Sequence, residues 1–263
     1  MDLGIRGEHA LVVGASEGIG YECAKGLLEE GAQVMICSRS EQKLAAAAAK
    51  LERATGVVVP WFCADITSAQ DVLRLRDWVG ALTSSLPILV NAVGGSHRAL
   101  FEELDDAAWL GSFEFNVLGA VRVVRSHLDL LKQAGNARVV ILGAAGARMP
   151  YPHQVVSNVS KAGLIALVKT LGAELQPYGI RVNSVSPGRT LTPLWQQRAE
   201  NMSRERGVAI EEIIREFSAE IPMQRFGQPE EIASMVVFLA SHKTSYVTCQ
   251  SILVDGGIAR GLI

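Results

Sequence analysis

The chain has 263 residues, of which 49 % are apolar and 20 % charged, a length and composition that fit one α/β domain around a single core and exclude a disordered chain. Twenty-five Lys and Arg stand against 27 Asp and Glu, a net charge of −2 without any block of five like charges, which argues against a nucleic-acid partner. The opening MDLGIRGEHALVVG lacks a basic region followed by a long apolar run, and no apolar window is expected to reach the roughly 18 residues of a membrane span, so a cytoplasmic protein is expected.

A first strand, HALVVG (9–14), runs into Gly14-Ala15-Ser16-Glu17-Gly18-Ile19-Gly20 and a helix over 18–30 that Gly31 stops. The second strand, 32–38, ends in Cys37-Ser38-Arg39-Ser40 and is followed by a helix over 40–54, whose AAAAA run is a strong helix former. Next come a strand at 57–65, a helix at 68–82, a strand at 87–94, a long helix at 105–132 and a strand at 137–143. A helix at 155–177 stopped by Gly179, a strand at 180–188, a helix at 229–240 and a strand at 251–257 complete the alternation. The strand segments are nearly continuous apolar runs, as expected of strands covered on both faces. The expectation is a single-domain Rossmann-type, doubly wound parallel sheet of about seven strands with helices on both faces. Residues 191–227 interrupt the pattern with a charged, amphipathic insertion, either a lid over the ligand crevice or a plain surface helix pair. Cys23, Cys37, Cys63 and Cys249 are scattered without ligand spacing, so no metal site or disulfide framework is expected.

Glycines at the first strand-to-helix turn let the backbone approach a pyrophosphate, and the helix N-terminus supplies unpaired N–H groups. This turn, with Asn91-Ala92-Val93-Gly94, Asn116, Lys161, Ser186-Pro187-Gly188 and Val254-Asp255-Gly256-Gly257, resembles the short-chain dehydrogenase/reductase family over essentially the whole chain. The branch it most resembles is that of the 3-oxoacyl carrier-protein reductases, including RFGQPEEIA before the last helix. The resemblance implies that Gly14, Ser16, Gly18, Ile19 and Gly20 hold the pyrophosphate and adjoining ribose. It places Asp65 and Ile66 at the adenine, Asn91, Ala92 and Gly94 on the adenine-ribose side, and Pro187, Gly188, Thr190 and Thr192 at the nicotinamide. Asp65 has a second reading as a helix cap before Thr67 and Ser68.

The second strand ends without the carboxylate that would mark NAD, whereas Ser38 and Arg39 there suit a 2′-phosphate through a charge-assisted fork. NADP(H) is therefore favoured over NAD(H). Glu17 points the other way, and Arg39 also reads as a solvated loop charge.

In the family an asparagine, a serine, a tyrosine and a lysine cooperate. Asn116 and Lys161 match the first and last, while the serine position falls on Gly143 or Ala144 and the tyrosine position on Ser157. A serine hydroxyl is shorter and far less acidic than a phenol, so Ser157 either orders a water or merely bonds its own helix. If the helix begins early, His153, Ser157 and Lys161 form one i, i+4, i+8 stripe, and His153 becomes a candidate proton donor. His97 and Arg98, after the fourth strand, and Tyr151, before the helix, are candidate substrate contacts, the first two suited to an anion. Three readings follow: an NADPH-dependent carbonyl reductase or alcohol dehydrogenase with an altered proton path, a cofactor-binding protein without turnover, or a non-redox reaction in the same crevice. A small-molecule substrate and a homotetramer assembled through the helices at 105–132 and 155–177 are expected, the stretch GAVRVVRSHLDLL carrying an apolar stripe in need of cover.

Overall fold

The computed structural model describes residues 1–261, and in it the apolar runs become seven strands of one parallel sheet. They are β1 (His9–Val13), β2 (Gln33–Ser38), β3 (Trp61–Cys63), β4 (Ile88–Asn91), β5 (Arg138–Leu142), β6 (Arg181–Pro187) and β7 (Ser251–Val254), in the order β3-β2-β1-β4-β5-β6-β7. Ten α-helices join them among the described residues: α1 (Gly18–Glu29), α2 (Glu41–Thr55), α3 (Ala69–Leu82), α4 (Asp106–Phe113), α5 (Gly119–Ser126), α6 (Leu128–Gln133), α7 (Val155–Leu175), α8 (Pro193–Arg206), α9 (Ile210–Ala219) and α10 (Pro229–Leu239).

Continuous apolar strands are explained by what covers them. Ala10 and Val12 of β1 pack with Leu27, Leu44 and Val236 from α1, α2 and α10 on one face, while Leu11 and Val13 pack with Leu75, Val123 and Leu164 from α3, α5 and α7 on the other. Because β1 pairs with β2 on one side and β4 on the other, the chain reverses its direction of travel across the sheet there. A crevice opens at the carboxyl ends of strands flanking such a reversal, and this is where a ligand binds in open α/β sheets.

Four expectations need correction. The strand expected at 57–65 shrinks to Trp61–Cys63, because β3 is an edge strand paired only with β2, and Val57 and Val58 lie exposed before it. The helix expected over 105–132 is interrupted by a π-helical stretch, Glu114–Leu118, and again at His127. The apolar stripe of GAVRVVRSHLDLL is already covered within the chain, Ala120, Val123, Val124, Leu130 and Leu131 all being buried. Finally, one segment, Val155–Tyr178, is long and apolar enough to cross a membrane by length and composition; it is a core helix whose Val156, Leu164, Val168 and Leu175 are buried.

Candidate active site

The dinucleotide cradle is shaped by backbone packed against backbone. Gly14 follows β1 with φ +88, and its N–H donates to Cys37 O at 2.7 Å. A Cβ added at Gly20 would meet Gly14 O at 2.1 Å, and one at Gly14 would come within 3.0 Å of the backbone of Ala92 and Val93. Only glycines permit so tight a turn, which brings the start of α1 to the crevice. Glu17 at the N-cap makes no side-chain cap bond, so the first N–H groups of α1 keep their capacity for an anion. Ser16 and Ile19 are half-buried in this turn, and Ile19 lines the cleft.

Across the mouth stands the N-terminus of α8. Thr192 caps that helix by accepting from Trp195 N at 3.4 Å, and its methyl lies 3.5 Å from where a Gly18 Cβ would be. Pro187, Gly188, Thr190 and Thr192 all line the cleft, Gly188 held so close to Asp255 that a Cβ would fall 2.6 Å from its Cα. Two groups at strand ends bear on the fit to a dinucleotide: the hydroxyl of Ser38 and both amide atoms of Asn91 are buried with no hydrogen-bond partner among the described residues. The glycine cradle, the open helix N-terminus and these polar groups match the requirements of a nicotinamide dinucleotide.

Arg39 is exposed just past β2 with its guanidinium 5.7 Å from the Phe115 ring centroid, and no acid pairs with it among the described residues. Glu17, the acid that spoke against a 2′-phosphate, is engaged by Lys43 Nζ at 2.9 Å. The adenine-side pair fares less well. Asp65 accepts from Thr67 N at 2.9 Å and Thr67 Oγ1 at 2.8 Å, shaping the turn, while Ser68 is the residue that caps α3. Ile66 is buried against Gly119, so its side chain belongs to the core and only its backbone is left for an adenine.

At the other end of the crevice, β5, the π-helical stretch and α7 converge. Asn116 lies in that stretch, where the altered backbone pitch turns its side chain: Oδ1 accepts from Gly95 N at 3.0 Å and Nδ2 donates to Ser112 O at 3.1 Å. Lys161 is 6 % exposed and donates to Leu142 O at 3.4 Å. Burial pushes its pKa down to about 8, because an ammonium loses solvation that one carbonyl only partly replaces. Gly94 is required beside it, since a Cβ there would sit 2.3 Å from Nζ. Gly143 and Ala144 line the same wall without a polar side chain, and a Cβ at Gly143 would collide with Ser186 Oγ at 2.5 Å. Position 144, in extended backbone, is therefore the one with room for a longer side chain.

The remaining candidates separate sharply. Ser157 lines the cleft, but its hydroxyl accepts from His97 N at 2.8 Å and donates to His97 O at 3.5 Å, so it anchors the loop after β4. His153 does not join a helical stripe: α7 begins only at Val155, and His153 sits in the preceding turn at φ +61 with its side chain exposed at the cleft rim. His97 is held by its backbone and is not among the cleft residues, whereas Arg98 is. Tyr151 lines the cleft, yet burial raises its phenol above the ordinary range, the opposite of what an acid at neutral pH needs.

The insertion supplies what the sequence reading missed. Helices α8 and α9 cover a small cluster formed by Ala145, Ile221, Phe226 and Ile258, against which Trp195 and Phe217 stack edge to face at 5.3 Å. Trp195, Arg198, Phe217 and Glu220 line a cleft of about 440 Å³, and Arg189 joins them from the end of β6. No motif marks these residues; the only trace in the sequence is the i, i+3 spacing of Trp195 and Arg198, which puts both on one helix face.

Comparison with known proteins agrees with this geometry. The family described as "Enoyl-(Acyl carrier protein) reductase" matches residues 14–259. The chain is 30 % identical over 258 residues to the 3-oxoacyl-acyl-carrier-protein reductase of Aquifex aeolicus, spanning 98 % of this chain and 100 % of that one. It superposes with a TM-score of 0.96 and 32 % identity on the L-sorbose reductase of Gluconobacter frateurii in complex with NADPH and L-sorbose, over 100 % of both chains. A further structure, the NADPH-bound short chain oxidoreductase of Pseudomonas aeruginosa PAO1 described as containing an atypical catalytic center, has TM-score 0.89 and 30 % identity over 97 % of each chain. With the switch-point crevice, the glycine cradle and the Asn116–Lys161 pair all in place, the chain belongs to the short-chain dehydrogenase/reductase family, as an NAD(P)-dependent oxidoreductase of the 3-oxoacyl-acyl-carrier-protein reductase-like kind.

Proposed function

We propose that this chain reduces a carbonyl compound with NADPH, or oxidises the corresponding alcohol, and that the proton travels through water ordered by Lys161 and Asn116. A bound nicotinamide supplies hydride chemistry; the protein's share is to orient the carbonyl and deliver the proton. The observation that carries the reading is the division of labour on α7. Ser157 is committed to the His97 backbone, while Lys161, one turn on, lines the cleft with a pKa near 8. An ammonium so tuned can give up a proton near neutrality and regain it from solvent. Preference for the phosphorylated cofactor is supported by Arg39, unpaired with any carboxylate among the described residues, and by the ion pair of Glu17 with Lys43.

A second reading, a cofactor-binding protein without turnover, is favoured by one feature: no hydroxyl at Gly143, Ala144 or Ser157 is available to polarise a carbonyl. Mixing the protein with NADPH and a panel of ketones and 3-oxoacyl thioesters while following nicotinamide absorbance separates the two. Consumption with any panel member supports the reductase; tight NADPH binding without consumption supports the second reading.

The pair α8–α9 serves as a lid in this proposal, supported by Thr192 over Gly18 and by Trp195 and Arg198 in the cleft. The whole of 1–263 is taken as one dinucleotide-binding domain in the cytoplasm. Homotetramer assembly through the segments 105–132 and 155–177 rests on residues outside the GAVRVVRSHLDLL stripe: Leu110 and Phe113 on α4 and Val159 on α7 are 69, 51 and 55 % exposed. A monomer in light scattering at micromolar concentration would overturn that assembly.

A further inference from the structure

Besides Lys161, the cleft is lined by three guanidinia. Arg98, from the loop after β4, and Arg198, from α8, both line it, and neither forms an ion pair with any carboxylate among the described residues. The third guanidinium, Arg189, is already satisfied: it donates to Glu220 Oε2 at 2.6 Å and to Phe217 O, and Glu220 is the only acid among the cleft residues.

Arg198 is held in a defined pose. Its Nη2 donates to Ser96 Oγ at 2.7 Å and Ser96 O at 3.1 Å, which ties the lid to the loop carrying Arg98. The guanidinium also lies 5.8 Å from the Trp195 ring centroid. Nε and Nη1 make no hydrogen bond among the described residues, so the guanidinium keeps single donors on either side of the Nη2 that Ser96 engages. Burial and the charge of Arg98 both act against the ionised form of Arg198, a like-charge cost that an anion placed between the two would remove. Leu194, Trp195 and Tyr151 make the intervening wall apolar.

We infer that the substrate is an oxo acid, its carboxylate seated between Arg98 and Arg198 and its apolar body lying along Trp195 and Tyr151 toward Lys161. The inference rests on the reductase reading for the word "oxo" and on the two guanidinia for the word "acid". A carboxylate with one oxygen on a free donor of Arg198 and the other on Arg98 bridges the two guanidinia and holds Arg98, which is otherwise exposed, against the lid.

The test uses the protein–NADPH complex and calorimetric titration, so that it does not depend on turnover. Benzoylpropionate and levulinate are compared with their methyl esters, and acetoacetyl phosphopantetheine with the neutral acetoacetyl N-acetylcysteamine thioester. The acids are expected to bind at least tenfold more tightly than their esters, with the margin shrinking as salt is raised. Arg98→Ala should cut the acid-to-ester affinity ratio severalfold. Arg198→Gln should abolish the ratio, and Arg198→Lys should restore part of it, a rescue that a merely structural role in the lid would not produce. Equal affinity for acid and ester in the parent protein overturns the anion seat, as does a ratio unmoved by Arg98→Ala and Arg198→Gln. Preference for the phosphopantetheine conjugate with indifference to the free carboxylates overturns the oxo-acid assignment in favour of a carrier-bound substrate. If acids bind with the expected preference yet no ketone consumes NADPH, the seat stands and the reductase reading fails; if neutral ketones are reduced while acids show no preference, the reverse holds.

Discussion

The two ends of the crevice are built by opposite means. The cradle at Gly14–Gly20 is made of main chain pressed on main chain, where a single added methyl would meet an oxygen at 2.1 Å, while the proton-transfer end at Gly143–Lys161 is made of side chains projected from a rigid sheet and helix. Changing a side chain at the second end leaves the fold in place, as a Ser157 that merely holds the His97 loop shows. Changing a residue of the first displaces a strand-to-helix turn. Chemistry can therefore be altered on this scaffold far more readily than cofactor binding.

The largest effect is expected from Gly20→Ala. Its methyl cannot be accommodated without moving Gly14 or the start of α1, so NADPH affinity should fall roughly a thousandfold or more, about 4 kcal/mol. Calorimetric titration checks it, and near-parental affinity would erase the contrast between the two ends.

Next comes Lys161→Ala, which should remove most turnover, roughly 10² to 10³ in kcat, as loss of an acid–base group does. Because burial lowers the lysine pKa to about 8, carbonyl reduction should decline as pH rises through that value and the ammonium is lost. The same shift has a stability consequence of known sign. The folded pKa lies below the ordinary 10.5, so the unfolded chain binds the extra proton between the two values and stability rises with pH across that window. Below about pH 8 the cost of the buried charge is fully present, and Lys161→Met should therefore raise the apo-protein's Tm there, with the gain fading at higher pH. A rate that stays flat from pH 7 to 9.5 would remove Lys161 from the proton path.

Arg39→Ala is expected to cost about 1 to 3 kcal/mol in NADPH binding and nothing for NADH, as loss of a charge-assisted bond to a phosphate does. Equal losses for both cofactors would make Arg39 a general surface charge.

Ser157→Ala should be the mildest. Turnover should stay within about fivefold, and stability should drop by about 1 kcal/mol because the His97 N–H loses its acceptor. A thousandfold fall in kcat with cofactor affinity intact would make Ser157 the proton donor after all.

The order of elements, the parallel sheet and the glycine turn after β1 were legible in the sequence, because each rests on local pattern, apolar runs and glycine at an obligatory turn, whereas Asn116 and Lys161, on different elements, were picked out by the resemblance to the family. Arg39 and the absence of a hydroxyl at Gly143 and Ala144 were legible for the same reason. The role of Ser157 was not, since it depends on a loop 60 residues away in the chain donating from His97 N. The stripe through His153 needed a helix starting before residue 155; α7 starts at Val155, as the pattern predicts, and leaves His153 in a left-handed turn. The motif names position 66 and says nothing of which way its side chain packs; the structure buries it against Gly119 and leaves the backbone for outward contacts. Of the guanidinium pair Arg98–Arg198, Arg98 was a candidate anion contact in the sequence, but its partner was not. One member comes from a loop and the other from a helix 100 positions on, in an insertion without a motif, and only tertiary packing puts the two on one wall while committing Arg189 to Glu220. Sequence fixes what repeats along the chain at short range; which charges remain unpaired in a cleft depends on every element that meets there, and that is decided only when the sheet, the lid and the loops have folded together.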